Sequence, residues 1–278
     1  MEIRDRFGVE RPIVGMIHLP ALPGAPGYAG DRTHVHDRML EDAKRLEAGG
    51  IDGIVLENFG DTPFYPESVP NHVVAEMSAL ASTLSAAVDV PVGINVLRND
   101  ADAALSIAAA TGGAFVRVNV HIGSAATDQG VLEGSAHETL RLRDRIDADV
   151  AILADVHVKH ATPLGDAGIE RSALEAVERG NADGVIVSGS GTGAEATLEE
   201  VERVSDALSG RAPVFVGSGV TSDSVVDCLE AGASGVIVGT ALKRDGVTTN
   251  PVSSERVEKV VTAARRFGSV DDSDSTDR

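Results

Sequence analysis

The chain has 278 residues, 43 acidic against 24 basic, for a net charge of −19. Such a surface repels phosphate backbones and anionic lipid, which excludes nucleic acid and membrane insertion, and no apolar stretch approaches the ~20 residues of a membrane span. Hydrophobic residues make up 42% of the chain but aromatic ones only 3%, with no Trp, so one large α/β domain must pack its core from Val, Ile, Leu and Ala.

The N-terminus, Met1-Glu-Ile-Arg-Asp-Arg6, is charged and lacks the apolar core of a secretory signal. The single cysteine, Cys228, cannot form an internal disulfide. A cytoplasmic location is therefore expected. Lysine is scarce: only Lys44, Lys159, Lys243 and Lys259 occur. An acidic, lysine-poor surface fits adaptation to high salt, where screening removes much of the self-repulsion.

After a lead-in over residues 1–12, short β-branched runs alternate with longer amphipathic segments, the pattern of repeated βα units on a parallel sheet. In chain order the expected elements are strand Ile13–His18, helix Val35–Ala48, strand Gly53–Glu57, helix Val73–Ala87, strand Val92–Val96 and helix Asp100–Thr111. They continue with strand Phe115–Val120, helix His137–Ile146, strand Val150–Val156, helix Ile169–Arg179, strand Gly184–Val187 and helix Leu198–Leu208. Strand Val214–Val216, helix Ser222–Ala231, strand Val236–Val238 and helix Ser254–Arg266 complete the set. Eight strands with eight helices give a (β/α)8 TIM barrel over residues 13–268. The acidic tail 269–278 is expected to be disordered.

Two glycine-rich turns near the end of the chain carry the most functional information. Pro213-Val-Phe-Val-Gly217-Ser218-Gly219 and Gly235-Val-Ile-Val-Gly239-Thr240 are β-branched runs that stop at glycine and lead into helical patterns. Glycine lets backbone N–H groups turn toward a ligand, and a helix behind adds a positive dipole end. On consecutive parallel strands this is the phosphate cradle of the last two barrel loops, with Gly217, Ser218, Gly219, Gly239 and Thr240 as its members. The plain alternative is a pair of tight βα turns. The stretch Ser188-Gly-Ser-Gly-Thr-Gly193 is a further loop that could cover substrate or only connect.

Polar residues crowd the expected C-terminal strand ends, where barrel chemistry sits. They are His18; Glu57, Asn58 and Asp61; Asn95, Arg98 and Asn99; Arg117, Asn119 and His121; and Asp155, His157, Lys159 and His160. Strand alternation puts Arg117, Asn119 and His121 on one face, and Asp155, His157 and Lys159 on one face, both toward the lumen. Catalytic candidates are thus Glu57, Asp155, His157, Lys159, Arg117 and Asn119, convergent titratable groups suited to proton transfer. The structural alternative is an internal network in which Arg117 pairs with Glu57 or Asp155, since buried charges must be paired. Lys159 could be a counter-charge for phosphate or enolate, a Schiff-base nucleophile, or an ion-pair partner. No metal and no redox cofactor is required: His157-x-x-His160 with Asp155, or with His18 and His121, would need a bend after Lys159 to converge.

Several of these runs are characteristic: Gly15-Met-Ile-His18-Leu-Pro20-Ala-Leu-Pro23-Gly24, Glu57-Asn58-Phe-Gly-Asp61-Thr-Pro63-Phe64, Val96-Leu-Arg98-Asn99-Asp100, Phe115-Val-Arg117-Val-Asn119, Asp128-Gln129-Gly130 and Asp155-Val-His157-Val-Lys159-His160. Together they resemble the BtpA/SgcQ family over almost the whole chain. The resemblance implies a (β/α)8 barrel. It also implies a role like that in the family name, accumulation of photosystem I, or a link to sugar use. More distantly, Glu57…Asp61 before Pro63-Phe64, with the late glycine turns, looks like the tryptophan synthase α subunit, which cleaves a carbon–carbon bond of an indole glycerol phosphate with an acid pair. The spacing of the acids differs here.

The leading expectation is an isomerase or lyase acting by general acid/base catalysis on a small phosphorylated metabolite such as a sugar phosphate. Glu57 or Asp155 would be the base, His157 the proton shuttle, and Lys159 with Arg117 the charge stabilisers. The alternatives are a non-catalytic biogenesis factor for a membrane complex and a Schiff-base aldolase using Lys159. A homo-oligomer is compatible with each.

Overall fold

The β-branched runs become strands and the amphipathic segments helices in the computed structural model, which describes residues 1–165, 167–189 and 196–271. In chain order the elements are α1 (Ile3–Phe7), β1 (Ile13–His18), α2 (Arg32–Ala48), β2 (Gly53–Glu57), α3 (Asn71–Ala87), β3 (Val92–Asn95), α4 (Ala101–Thr111), β4 (Phe115–Val118), β5 (Ser124–Thr127) and β6 (Gly130–Glu133). Then come α5 (Ala136–Arg145), β7 (Ala151–Val156), β8 (Ala161–Pro163), α6 (Ile169–Glu178), β9 (Gly184–Val187), α7 (Leu198–Leu208), β10 (Val214–Val216), α8 (Val225–Glu230), β11 (Gly235–Val238) and α9 (Ser254–Asp271). Eight strands close into a parallel barrel in the order β1-β11-β10-β9-β7-β4-β3-β2. This is the (β/α)8 TIM barrel.

Strand alternation divides the interior into two cores. Ile13 and Ile17, Ile54 and Leu56, Val116 and Val118, and Ile152 and Ala154 face the helix layer in one large cluster. Val14 and Met16, Val55, Phe115, Leu153, Ile186, Phe215 and Ile237 face the lumen in a second. Two residues further along the same lumen-facing rows stand His18, Glu57, Arg117, Asp155, Ser188, Gly217 and Gly239. The barrel therefore has an apolar floor and a polar mouth, and the period of two places every polar group at the C-terminal rim. Glycine at position 93 gives Phe115 its room in the floor: a Cβ there would lie 2.3 Å from the ring.

Three features depart from the expected elements. First, the lead-in contains α1, whose Phe7 caps the N-terminal end of the lumen, with ring centroids 5.4 Å from Phe115 and 6.0 Å from Phe215. Second, β5, β6 and β8 form a small antiparallel sheet in the order β6-β5-β8, between the exits of β4 and β7. It buries Ala125 and Leu132 on Val120 and Val158. Its strands have only three or four residues, and Ser-Ala-Ala-Thr in β5 lacks the β-branched run that marks a strand. Asp128-Gln129 is the turn of its hairpin, closed by the pairing of Thr127 with Gly130. Third, α9 runs on to Asp271, into the expected tail. Residues 272–278 of that tail, and 190–193 of the glycine-rich loop, lie outside the described residues.

Phe7 fills the floor at 6% exposure. Truncation to alanine is expected to lower the unfolding free energy by about 3–5 kcal/mol, as for other buried aromatics, read from urea denaturation. A loss under about 1 kcal/mol would show that the floor closes without α1.

Candidate functional site

At the centre of the mouth, Arg117 and Asp155 form a bidentate ion pair. Arg117 Nε donates to Oδ2 and Nη2 to Oδ1 of Asp155, both at 2.9 Å. Asn119 Nδ2 donates to the same carboxylate at 2.8 Å and Ser188 Oγ at 3.1 Å. Neighbouring strands β4 and β7 direct these side chains inward, and β9 delivers Ser188. Asp155 thus accepts four hydrogen bonds, and both charges of the pair are spent on each other. Asn95 supports the arrangement from β3, its Nδ2 donating to the carbonyl of Arg117 at 2.9 Å.

Beside this pair stand three groups that are far less occupied. Glu57 and His18 end the adjacent strands β2 and β1, and His18 Nε2 lies 3.8 Å from Glu57 Oε1. The His18 ring meets Phe59 edge-on at 4.9 Å, and its Nδ1 is buried without a protein partner. Burial, aided by the charges of Lys243, Lys159 and Arg117, holds His18 well below the ordinary value of 6.5, so its imidazole is neutral. Lys159 is half-buried. Its ammonium makes no hydrogen bond or ion pair among the described residues. Burial and the charge of Arg117 push its pKa down, against the pull of Glu57 and Asp155.

The remaining candidates take other positions. His157 and Lys159 do not continue the alternation that starts at Asp155, because β7 ends at Val156 and His157 is left-handed at φ 53°. The His157 ring turns to α6, with Nε2 3.2 Å from Ser172 Oγ. It lines a cavity of about 500 Å³ between the exits of β4 and β7 and helices α5 and α6, together with His121, Ser172 and Glu175. His121 Nε2 donates to the carbonyl of Gly180 at 2.8 Å. His160 is exposed and left-handed at φ 55°. Among the described residues, no three His, Cys, Asp or Glu converge to hold a metal ion.

Arg98, Asn99, Asn58 and Asp61 tie loops together. Arg98 Nη2 donates to the carbonyl of Lys159 at 2.7 Å. Asn99 clamps Val120 from both sides, at 2.9 Å to its carbonyl and 2.7 Å from its N–H. Asn58 Oδ1 accepts from Leu97 N at 2.7 Å while its Nδ2 donates to Asp61. Asp61 in turn accepts from Leu22 N at 2.7 Å. These four side chains spend their polar atoms on backbone and, for Asn58 and Asp61, on each other, which fixes the loops around the mouth.

The two glycine turns open on a cleft of about 790 Å³ lined by Gly219, Gly239, Thr240, Arg244, Arg256 and Lys259, and also by the acidic Asp223, Asp245 and Glu255. Gly219 is left-handed at φ 72°. Among the described residues, the N–H groups of Gly219, Gly239 and Thr240 donate to no protein acceptor. Gly217 differs: its N–H donates to the carbonyl of Val187 at 2.8 Å, and a Cβ there would lie 2.4 Å from Ile186. It makes room in the lumen rather than facing the cleft. The dipole expected behind each turn is also reduced, since α8 has six residues and only short 3-10 turns (Thr240–Leu242 and Arg244–Gly246) follow β11 before α9. Gly239 joins the cleft to the lumen, as its Cβ position would be 3.0 Å from the edge of the His18 ring.

One buried group escaped the sequence reading altogether. Lys243 is 0% exposed, donates to the carbonyl of Met16 at 2.9 Å, and lies 3.8 Å from Asp42, which is also fully buried. Asp42 further accepts from Val252 N and Arg38 Nε. The cluster ties α2 to β1 and to the segment after β11.

The sequence pattern described as the BtpA family matches residues 9–266. The photosystem I biogenesis protein BtpA of Synechocystis is 45% identical over 263 residues, 95% of this chain and 91% of that protein. A mitochondrial protein of Caenorhabditis elegans is 33% identical, covering 90% and 91%. Among solved structures, thiamine phosphate pyrophosphorylase from Pyrococcus furiosus superposes with a TM-score of 0.60 at 15% identity, over 95% of this chain and 98% of that one. Orotidine 5'-phosphate decarboxylase from Pyrococcus horikoshii gives 0.57 at 17%, over 91% and 99%. These similarities show the barrel fold. No helix among the described residues is long and apolar enough to cross a membrane.

Burial lowers the Lys243 amine from 10.5 to about 8. Between those values the unfolded chain holds the proton and the folded protein releases it, so stability contributed by this group rises with pH across the window. Wild type is expected to gain stability relative to Lys243→Met between about pH 7.5 and about pH 10, measured by urea midpoints. Parallel curves for the two proteins would contradict the assignment.

Proposed function

The chain belongs to the BtpA family, and on that premise we propose that it is an enzyme, an isomerase or lyase that moves protons on a small phosphorylated metabolite such as a sugar phosphate. The observation that carries this is the position of Gly239, which lines the amide-rich cleft and abuts the His18 ring. A phosphate held by the N–H groups of Gly219, Gly239 and Thr240 leaves the rest of a small substrate beside His18 and Glu57. Backbone amides already aimed at the anion need no rearrangement on binding.

Roles follow from which groups are occupied. Glu57 is the base, because Asp155 is saturated by four hydrogen bonds and Glu57 is not. Neutral His18 relays the proton, a task His157 is too far turned toward α6 to perform. Lys159 stabilises the negative charge that develops when a carbon loses its proton. Arg117, Asn119 and Asp155 position the site. Support also comes from the fold neighbours, several of whose names carry a phosphate group.

A second reading, a biogenesis factor without catalysis, draws on the name of the Synechocystis relative and on Val131 and Leu164. These are 56% and 57% exposed on one face of the small sheet. It predicts that pocket variants leave function intact.

Inorganic phosphate and a sugar-phosphate panel are expected to raise the melting temperature of wild type and not of Gly219→Asp. Glu57→Gln is expected to keep ligand binding and lose about 10²–10⁴-fold in turnover. Failure of every phosphorylated ligand to stabilise the protein would remove the enzyme reading. Because His18 is held neutral, the acidic limb of the rate profile is expected below pH 6.5. A limb at or above that value would take His18 out of the relay.

A further inference from the structure

The chain has four lysines, and the two that are buried or half-buried at the barrel mouth differ in one respect. Lys243 is fully committed: its ammonium donates to the carbonyl of Met16 and faces Asp42. Lys159 is not. It stands among Glu57, Asp155, Arg117 and Arg98, yet its ammonium pairs with neither carboxylate. Asp155 is consumed by Arg117, Asn119 and Ser188, and Glu57 faces His18. The main chain of Lys159 is nonetheless held firmly, its carbonyl accepting from Arg98 at 2.7 Å between the left-handed residues His157 and His160. A structural lysine would be arranged the other way, with its charge satisfied. A desolvated ammonium without a partner favours its neutral form, and a neutral amine is a nucleophile.

We propose that Lys159 forms an imine with the carbonyl carbon of the substrate, which makes the substrate a phosphorylated aldehyde or ketone. This rests on the phosphate-site reading given above and adds the covalent step to it. The amine of Lys159 adds to the carbonyl carbon; a C–N bond forms and the C=O π pair moves to oxygen, which takes up a proton. A second proton on that oxygen lets water leave, and the C=N bond forms. Carbonyl compound and amine give imine and water, with no oxidant or reductant. His18 and Glu57 are placed to relay these protons: His18 is neutral, 3.8 Å from Glu57, and close enough to Lys159 to feel its charge. Once protonated, the imine is the electron sink for loss of a proton or cleavage of a bond at the neighbouring carbon. The positive charge asked of Lys159 in the acid/base reading then sits within the substrate.

The test is borohydride trapping on the full chain with dihydroxyacetone phosphate and glyceraldehyde 3-phosphate, followed by peptide mass mapping of Lys44, Lys159, Lys243 and Lys259. Glycerol 3-phosphate serves as the carbonyl-free control. The expected result is an irreversible adduct on Lys159 that is lost in Lys159→Arg, competed away by inorganic phosphate, and absent with glycerol 3-phosphate. Without any ligand, Lys159 is also expected to react with a small acylating reagent ahead of Lys44 and Lys259, a readout independent of how Lys159→Arg folds. Stabilisation by the phosphorylated probes without trapping at Lys159 would overturn the imine while leaving the phosphate site in place. An adduct spread equally over Lys44 and Lys259, or a Lys159 no more reactive than they are, would overturn it too. No stabilisation by any phosphorylated probe would remove both proposals.

Discussion

The mouth of this barrel depends on the ion pair between Arg117 and Asp155. Both are buried, and breaking such a pair by removing one partner costs about 3–5 kcal/mol because the other charge is left stranded. The pair is also a hub. Asn119 and Ser188 complete the carboxylate, and Asn95 holds the backbone of Arg117, so β3, β4, β7 and β9 meet through one set of polar bonds. Its second effect is electrostatic. Burial depresses the pKa of both His18 and Lys159, and the charge of Arg117 adds to it. Burial beside this network therefore shifts the neighbouring imidazole and amine in the direction that the proposed proton transfer and imine formation would use.

The surroundings make short-range contacts decisive. With a net charge of −19, the molecule as a whole repels anions, and steering at a distance works against a phosphorylated ligand. Attraction must come from groups in contact with it. The amides of Gly219, Gly239 and Thr240, which have no protein acceptor among the described residues, would act at that range on the proposed ligand. The cations of the cleft are partly neutralised, Lys259 by Glu255 at 2.8 Å, so in the proposed reading the amides would carry the recognition. Screening by salt would weaken the long-range repulsion and leave these contacts intact.

How much of this could be read from the chain alone depends on the local regularity of each element. Wherever a β-branched run was long enough, as in Ile13–His18 or Phe115-Val-Arg117-Val-Asn119, both the strand and the inward face of its polar residues were legible, because alternation is enforced by backbone geometry. At Asp155-Val-His157-Val-Lys159 the same rule failed halfway. One left-handed residue ended the strand, and a histidine read as lumenal packs on α6 instead. The short sheet at β5, β6 and β8 carried no pattern strong enough to see. Lys243 and Asp42 are distant in sequence, yet a signal existed. Asp42 falls on the buried stripe of α2, in step with Val35, Met39 and Leu46, and a carboxylate on an apolar stripe must find a cation or N–H donors there.

The two glycine turns show why a motif must be resolved atom by atom. Gly217, Gly219 and Gly239 look alike in sequence, and each lies at a strand end. Gly217 uses its amide inside the barrel and its missing side chain to spare Ile186 a clash. Gly219 uses its left-handed backbone to turn toward the cleft. Gly239 does something neither of the others does: the absence of a Cβ lets the His18 ring approach the wall behind which the cleft lies. A Cβ at that position would crowd the ring. The spacing between the proposed anion site and the proposed proton relay thus depends on a missing carbon, since a Cβ at position 239 would stand 3.0 Å from the His18 ring.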